Sequence, residues 1–176
     1  MNLILKGLVL AILLGCAPAT PGIVGPSAPF DPSGKYILIQ SFDLPPAMTN
    51  VNRAAAAKLG DVLAFYIQLH LKNAGLQRVL VVKRGDRIEG DLLIRGTLTR
   101  VEGGSQFHRI SMELFGSGAS EVEAMGEIVD LKTSTPLTGF AFRQTGLTWL
   151  ANESAVRENL RKIAEEIARV LIQMQN

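Results

Sequence analysis

The sequence predicts an α+β fold: a two-layer α/β sandwich in the order β-α-β-β-β-β-β-α, with a mostly antiparallel sheet and both helices on one face. Three patterns carry this expectation. Residues 49–74 and 152–176 repeat their apolar side chains at helical spacing. Two short apolar runs, 35–42 and 77–83, bracket the first of these helices. Between residues 91 and 146 the period falls to two, the mark of strands with one covered and one wet face.

The run 35–42 (KYILIQSF) reads as a central strand, broken by Asp43 to Pro46. Thr49 or Asn50 can cap the first helix and Gly75 can stop it near Ala74. Its expected buried stripe is Ala55, Leu59, Val62, Tyr66 and Leu69. The run 77–83 (QRVLVVK) completes a β-α-β unit. Four alternating segments follow. Their expected inward sets are Leu92, Ile94, Gly96 and Leu98; His108, Ile110, Met112 and Leu114; Val122, Ala124, Gly126 and Ile128; and Phe140 with Phe142. The wet faces carry Thr97, Thr99, Arg109, Ser111, Glu113, Glu121, Glu123 and Glu127. The last helix starts at Asn152 or Ser154 and buries Val156, Leu160, Ile163, Ile167, Leu171 and Met174, with Glu158 and Lys162 as an i,i+4 pair.

Parity constrains the turns. Every inward residue named in the strands from 91 onward is even-numbered, so directly opposed residues must sum to an even number, and a two-residue hairpin loop would turn one apolar set outward. Loops with an odd number of residues are expected, and Gly103-Gly104-Ser105 and Gly116-Ser117-Gly118 fit the three-residue type.

The N-terminus says where such a domain works. Lys6 and the terminal amine precede the apolar run from Leu8 to Leu14. That run is far short of the about 20 residues needed to span a bilayer, so it reads as a secretory signal. Leu13-Leu14-Gly15-Cys16 resembles a bacterial lipobox, and Cys16 is the only cysteine, so it has no disulfide partner in the chain. The resemblance implies cleavage of residues 1–15, three acyl chains at Cys16 and firm anchoring, since two lipid signals already anchor stably. Ala17 stands where an inner-membrane retention signal would place Asp, which points to the outer membrane, lipid-anchored at its periplasmic face. Residues 16–34, with Pro18, Pro21, Pro26, Pro29 and Pro32, read as a Pro/Gly-rich tether able to reach about 50 Å. Residues 35–176 form the single globular domain.

Composition excludes some functions. With 18 basic and 16 acidic residues the net charge is +2, without the strongly basic face of nucleic-acid binders. Arg78, Lys83, Arg84 and Arg87 cluster, but Asp86 and Glu89 interrupt them, as at a solvated strand end.

Several stretches together resemble a family of bacterial lipoproteins known only as domain of unknown function 4410. They are Ser41-Phe42-Asp43, Val79-Leu80-Val81-Val82, Asp91-Leu92-Leu93-Ile94-Arg95-Gly96-Thr97-Leu98-Thr99, and Leu114-Phe115-Gly116-Ser117-Gly118-Ala119-Ser120 leading to a strand ending at Asp130. The family's Asp-x-x-Thr-Gly-x-x-Leu turn is matched at Asp130, Thr133 and Leu137, but Ser134 replaces the glycine and Pro136 intervenes. The resemblance spans about 35–147 and implies no catalytic residue or cofactor.

No nucleophile, base or metal set converges in the sequence. His70 and His108 fall on or beside apolar stripes and show no ligand spacing. The expected function is therefore a non-enzymatic interaction or assembly module tethered in the envelope, with a protein partner and the membrane as its contacts. Its expected partner face is Arg109, Glu113, Glu121, Glu123 and Glu127, all taken as solvated. The alternative is a carrier holding an apolar or lipid ligand between helices and sheet, lined by Met48, Phe65, Phe107, Met112 and Met125. Trp149, before the last helix, reads equally as a core plug or an exposed anchor.

Overall fold

In a computed structural model, the described residues are 22–24, 30–44, 53–86, 89–102, 120–146 and 153–174. They form β1 (Gly22–Val24), β2 (Ile37–Gln40), α1 (Arg53–Asn73), β3 (Val79–Val82), β4 (Leu92–Glu102), β5 (Ser120–Asp130), β6 (Thr135–Gly146) and α2 (Glu153–Gln173). The strands make one six-stranded sheet in the order β1-β6-β5-β4-β2-β3. β2 lies between β3 and β4, parallel to both, and every other pairing is antiparallel.

Both helices pack on one face of this sheet and against each other. The core between the layers holds Ile37, Ile39, Leu92, Ile94, Leu98, Val122, Ile128 and Phe140 from the strands, facing Leu63, Ile67, Leu160, Ile163 and Ile167 from the helices. Of the even-numbered inward sets expected for β4, β5 and β6, every residue but the glycines is buried, and Gly96 and Gly126 are half-buried. The α2 stripe is also as expected, since all six of its residues are buried.

The α1 stripe is not. Leu63, Ala64, Ile67 and Leu71 are fully buried, whereas Leu59, Val62 and Tyr66 sit at the margin and Leu69 is 44% exposed. This helix is apolar on most of its circumference, so periodicity leaves several stripes in competition. Gly60 settles the choice: a β-carbon there would collide with the Phe42 backbone, so this position lets the helix sit directly on the chain leaving β2. Gln68 then reaches the edge of β3, donating from Nε2 to the Val79 carbonyl at 2.8 Å. Gly75, at φ 95°, ends the helix as expected. The Leu76 N–H bonds back to the Leu71 carbonyl and the Gly75 N–H to that of Lys72, each at 3.0 Å, the Schellman pattern.

Three further expectations need revision. The loop between β5 and β6, Leu131–Ser134, has an even number of residues, and Asp130 opposite Thr135 gives an odd sum. A bulge between Ile128 and Val129 restores even pairing along the rest of the hairpin. A second bulge, between Leu98 and Arg100, does the reverse: beyond it Val101 turns onto the core and Arg100 onto the open face. Third, β4 and β5 are immediate neighbours and β6 fills the other edge of β5. The strand expected at 107–115, with the two glycine loops and His108, lies outside the described residues.

The stretch read as a tether also begins to fold early. Gly22–Val24 pairs antiparallel with Gly139–Ala141 of β6. The Phe30 N–H donates to the Met174 carbonyl at 3.1 Å, and Pro32 is buried. Proline-rich composition suppressed the strand signal there, because pairing supplied by β6 is invisible in the segment itself.

Candidate functional site

Among the described residues nothing covers the sheet face opposite the helices, and the family-like stretches meet along it. Asp43 bridges to Thr97 in parallel sense. Its N–H donates to the Gly96 carbonyl at 3.0 Å and its carbonyl accepts from Leu98 N–H at 2.8 Å. On the helix side, the Phe42 and Phe140 rings cover the glycine pair Gly96 and Gly126, with ring centroids 6.3 Å apart. A β-carbon on either glycine would strike the neighbouring strand's carbonyl oxygen. The Arg95-Gly96-Thr97-Leu98 stretch is thus a close-approach point between strands. Ser41 Oγ donates to Asp61 of α1, which pins the helix at the end of β2.

On the open side, Gly139 stands opposite Glu127 and Ala141 opposite Met125, so β6 presents almost no side chain there. The result is a groove of about 520 Å³. Arg95 and Glu127, directly opposed across β4 and β5, line it and join at 2.6 Å. Arg84 and Asp43 stand at its other side, 3.1 Å apart and both well exposed. Met125, half exposed, gives the groove an apolar wall. Exposed pairs of this kind are worth at most about 1 kcal/mol, so an incoming charge can exchange with them at little cost. The groove thus sets exchangeable charges beside an apolar side chain.

The expected partner residues divide. Glu127 belongs to the groove. Glu121 and Glu123 meet farther along β5, where both face Arg143: Arg143 Nη2 is 2.7 Å from Glu121 Oε1 and its Nε is 3.4 Å from Glu123. Arg100 adds a contact to Glu121 at 3.4 Å. Glu121 is not the solvated carboxylate expected, being only 8% exposed. Its Oε1 is close to both guanidinium groups yet accepts no well-aligned hydrogen bond. Proximity without alignment makes this an ion-pair cluster. Ser120, beside it, is buried and clamped by Asn159 of α2, which donates to the Ser120 carbonyl at 3.2 Å and to its Oγ at 3.1 Å. Cys16, Arg109, Glu113 and Trp149 lie outside the described residues.

Sequence reasoning missed Asp43, Arg84 and Arg95. Two of them sat inside stretches already singled out, and Arg84 lay in the basic cluster read as a strand end. Of the residues suggested to line an interlayer ligand cavity, Met125 lies on the open face and Phe65 is 54% exposed on α1, so neither faces the space between helices and sheet. His70 is half-buried on α1, and Met48, Phe107 and Met112 lie outside the described residues.

The Asp-x-x-Thr turn has a structural explanation. Asp130 Oδ1 accepts from the Lys132 N–H at 2.7 Å and the Thr133 N–H at 3.3 Å, closing the hairpin loop. Ser134, in the family's glycine position, has φ 57°, the left-handed conformation that glycine adopts without strain.

The family model of the domain of unknown function named DUF4410 matches residues 37–149. The chain belongs to this family. The matched span runs from β2 through β6 and so includes the strands that carry the groove. No curated protein matches the chain. Among solved structures, the PelC dodecamer from Paraburkholderia phytofirmans is similar at 12% identity with a TM-score of 0.57, covering 84% of this chain and 97% of that one. A Xanthomonas campestris protein of the DUF330 family model is similar at 14% identity and 0.56, covering 88% and 94%. A minor lipoprotein from Acinetobacter baumannii is a looser likeness at 13% identity and 0.41, covering 76% and 90%. At these identities the first two share the fold alone.

Proposed function

We propose that this DUF4410 member is an outer-membrane lipoprotein, anchored through Cys16 at the periplasmic face, that acts as a non-enzymatic interaction or assembly module. The observation that carries the reading is the open sheet face, where a groove runs between the Arg95–Glu127 and Arg84–Asp43 pairs beside Met125. Ion pairs that cost little to exchange, around an exposed apolar side chain, suit macromolecular recognition. A protein of the same fold that is a dodecamer gives a precedent for an assembly role.

The partner surface is the groove rather than the Glu121 cluster, because reversing the charge of a buried glutamate would damage the fold itself. A photocrosslinking amino acid at Met125 in living cells should yield a discrete macromolecular adduct, and one at the exposed Arg161 of α2 should not. The double variant Arg84→Glu, Arg95→Glu should fold and lose the adduct. Adducts from Arg161 alone, or turnover of an envelope metabolite by the purified domain, would overturn the reading. Labelled palmitate should mark the native chain and spare Cys16→Ala.

A further inference from the structure

We propose that the β1–β6 edge of the sheet is the membrane-proximal side of the domain, facing the lipid surface. The inference rests on lipidation at Cys16, and it follows from how close β1 lies to that residue along the chain. β1 starts at Gly22, paired with Ala141 in the middle of β6. Only residues 17–21 separate it from the acylated cysteine. Six extended Cα steps reach at most about 20 Å, and Pro18 and Pro21 favour polyproline geometry of about 3.1 Å per residue, which gives a similar span.

That leash is short beside the domain. β3 closes the opposite edge of the sheet, five strand spacings away from β1. At about 4.8 Å each, the two edges stand about 24 Å apart. The anchor therefore holds the β1 edge within about 20 Å of the headgroups, whereas the β3 edge can stand about 24 Å farther out. Ile23, 47% exposed on β1, gives the near edge an apolar side chain for the interface. With that edge down, the open groove faces sideways along the membrane and the β3 edge, with exposed Leu80, points into the envelope space.

The test uses the full lipidated chain in vesicles of phosphatidylethanolamine and phosphatidylglycerol containing acceptor-labelled headgroups. Fluorophores are placed on Ile23→Cys, on Thr145→Cys of β6 as a second near-edge site, and on Leu80→Cys. Transfer from the two near-edge sites should exceed that from Leu80 by about twofold or more, given the separation of the edges. Inserting about 15 Gly/Ser residues between Ala17 and Pro18 should erase the difference, because a flexible leash of that length frees the domain. Equal transfer from both edges with the native leash, or stronger transfer from Leu80, would overturn the proposal. Cys16→Ala separates the two readings: loss of vesicle binding supports the anchor whatever the edges report, and retained binding removes the anchor and the proposal with it.

Discussion

The two faces of this sheet use the same strands for opposite purposes. On the covered face, residues of β4, β5 and β6 meet two helices, and Leu92, Ile94, Leu98 and Ile128 are wholly buried. On the open face, the residues between them form charge pairs that are a third to a half exposed, such as Arg95 with Glu127. Apolar burial contributes about 25 cal/mol per Å², whereas exposed ion pairs contribute little. Stability therefore resides on one face, and the other is free to vary its chemistry. Substitutions on the two faces should separate cleanly.

Phe140 gives the largest expected effect. Its ring covers Gly126, packs 6.3 Å from Phe42 and stacks 6.1 Å from Phe142, so truncation would open a cavity that rigid strands cannot close. Phe140→Ala should cost about 3–5 kcal/mol by urea denaturation. Arg95→Ala, one layer away on the open face, should cost less than about 1 kcal/mol. Comparable losses would show that the open face carries stability after all.

Glu121 sharpens the comparison because it breaks the rule on its own face. It is nearly buried between Arg143 and Arg100. Removing its charge takes from Arg143 the nearer of two carboxylates, at 2.7 Å against 3.4 Å for Glu123. Glu121→Gln should cost about 1–3 kcal/mol, against less than about 1 kcal/mol for Glu127→Gln, whose side chain is 31% exposed. Equal losses in melting experiments would place Glu121 with the ordinary surface pairs.

Much of this fold is legible in the residues. Alternation in β4–β6 and the stripe of α2 each admit one solution, because apolar and polar positions are clearly separated along them. α1 admits several, and the contact that selects among them, Gly60 on the Phe42 backbone, is tertiary. β1 has no apolar alternation of its own and forms because β6 offers an edge. The groove was harder to read for a related reason. Its hollow comes from Gly139 and Ala141 having little to project, and its charged rim assembles from the segments just after β2 and β3 and from β4 and β5. A one-dimensional pattern marks Glu127 as outward-facing but does not say that Arg95, 32 positions away, stands against it.

The smallest effect expected belongs to neither face. Ser134 closes the β5–β6 hairpin at φ 57°, in a region where a side chain is crowded by its own backbone. Its neighbours are satisfied without it: Asp130 holds the Lys132 and Thr133 N–H groups, and the Thr133 and Thr135 hydroxyls bond each other at 2.7 Å. Ser134→Gly should relieve the strain while loosening the unfolded chain, two effects that oppose each other. The native penalty for a non-glycine residue there is about 1–2 kcal/mol and the entropic loss is about 0.5–1 kcal/mol, so the net gain should lie between about 0 and 1.5 kcal/mol. A raised melting temperature with unchanged Met125 crosslinking would separate the turn from both faces. A lowered melting temperature would mean that the serine side chain stabilises the turn by more than its backbone strain costs.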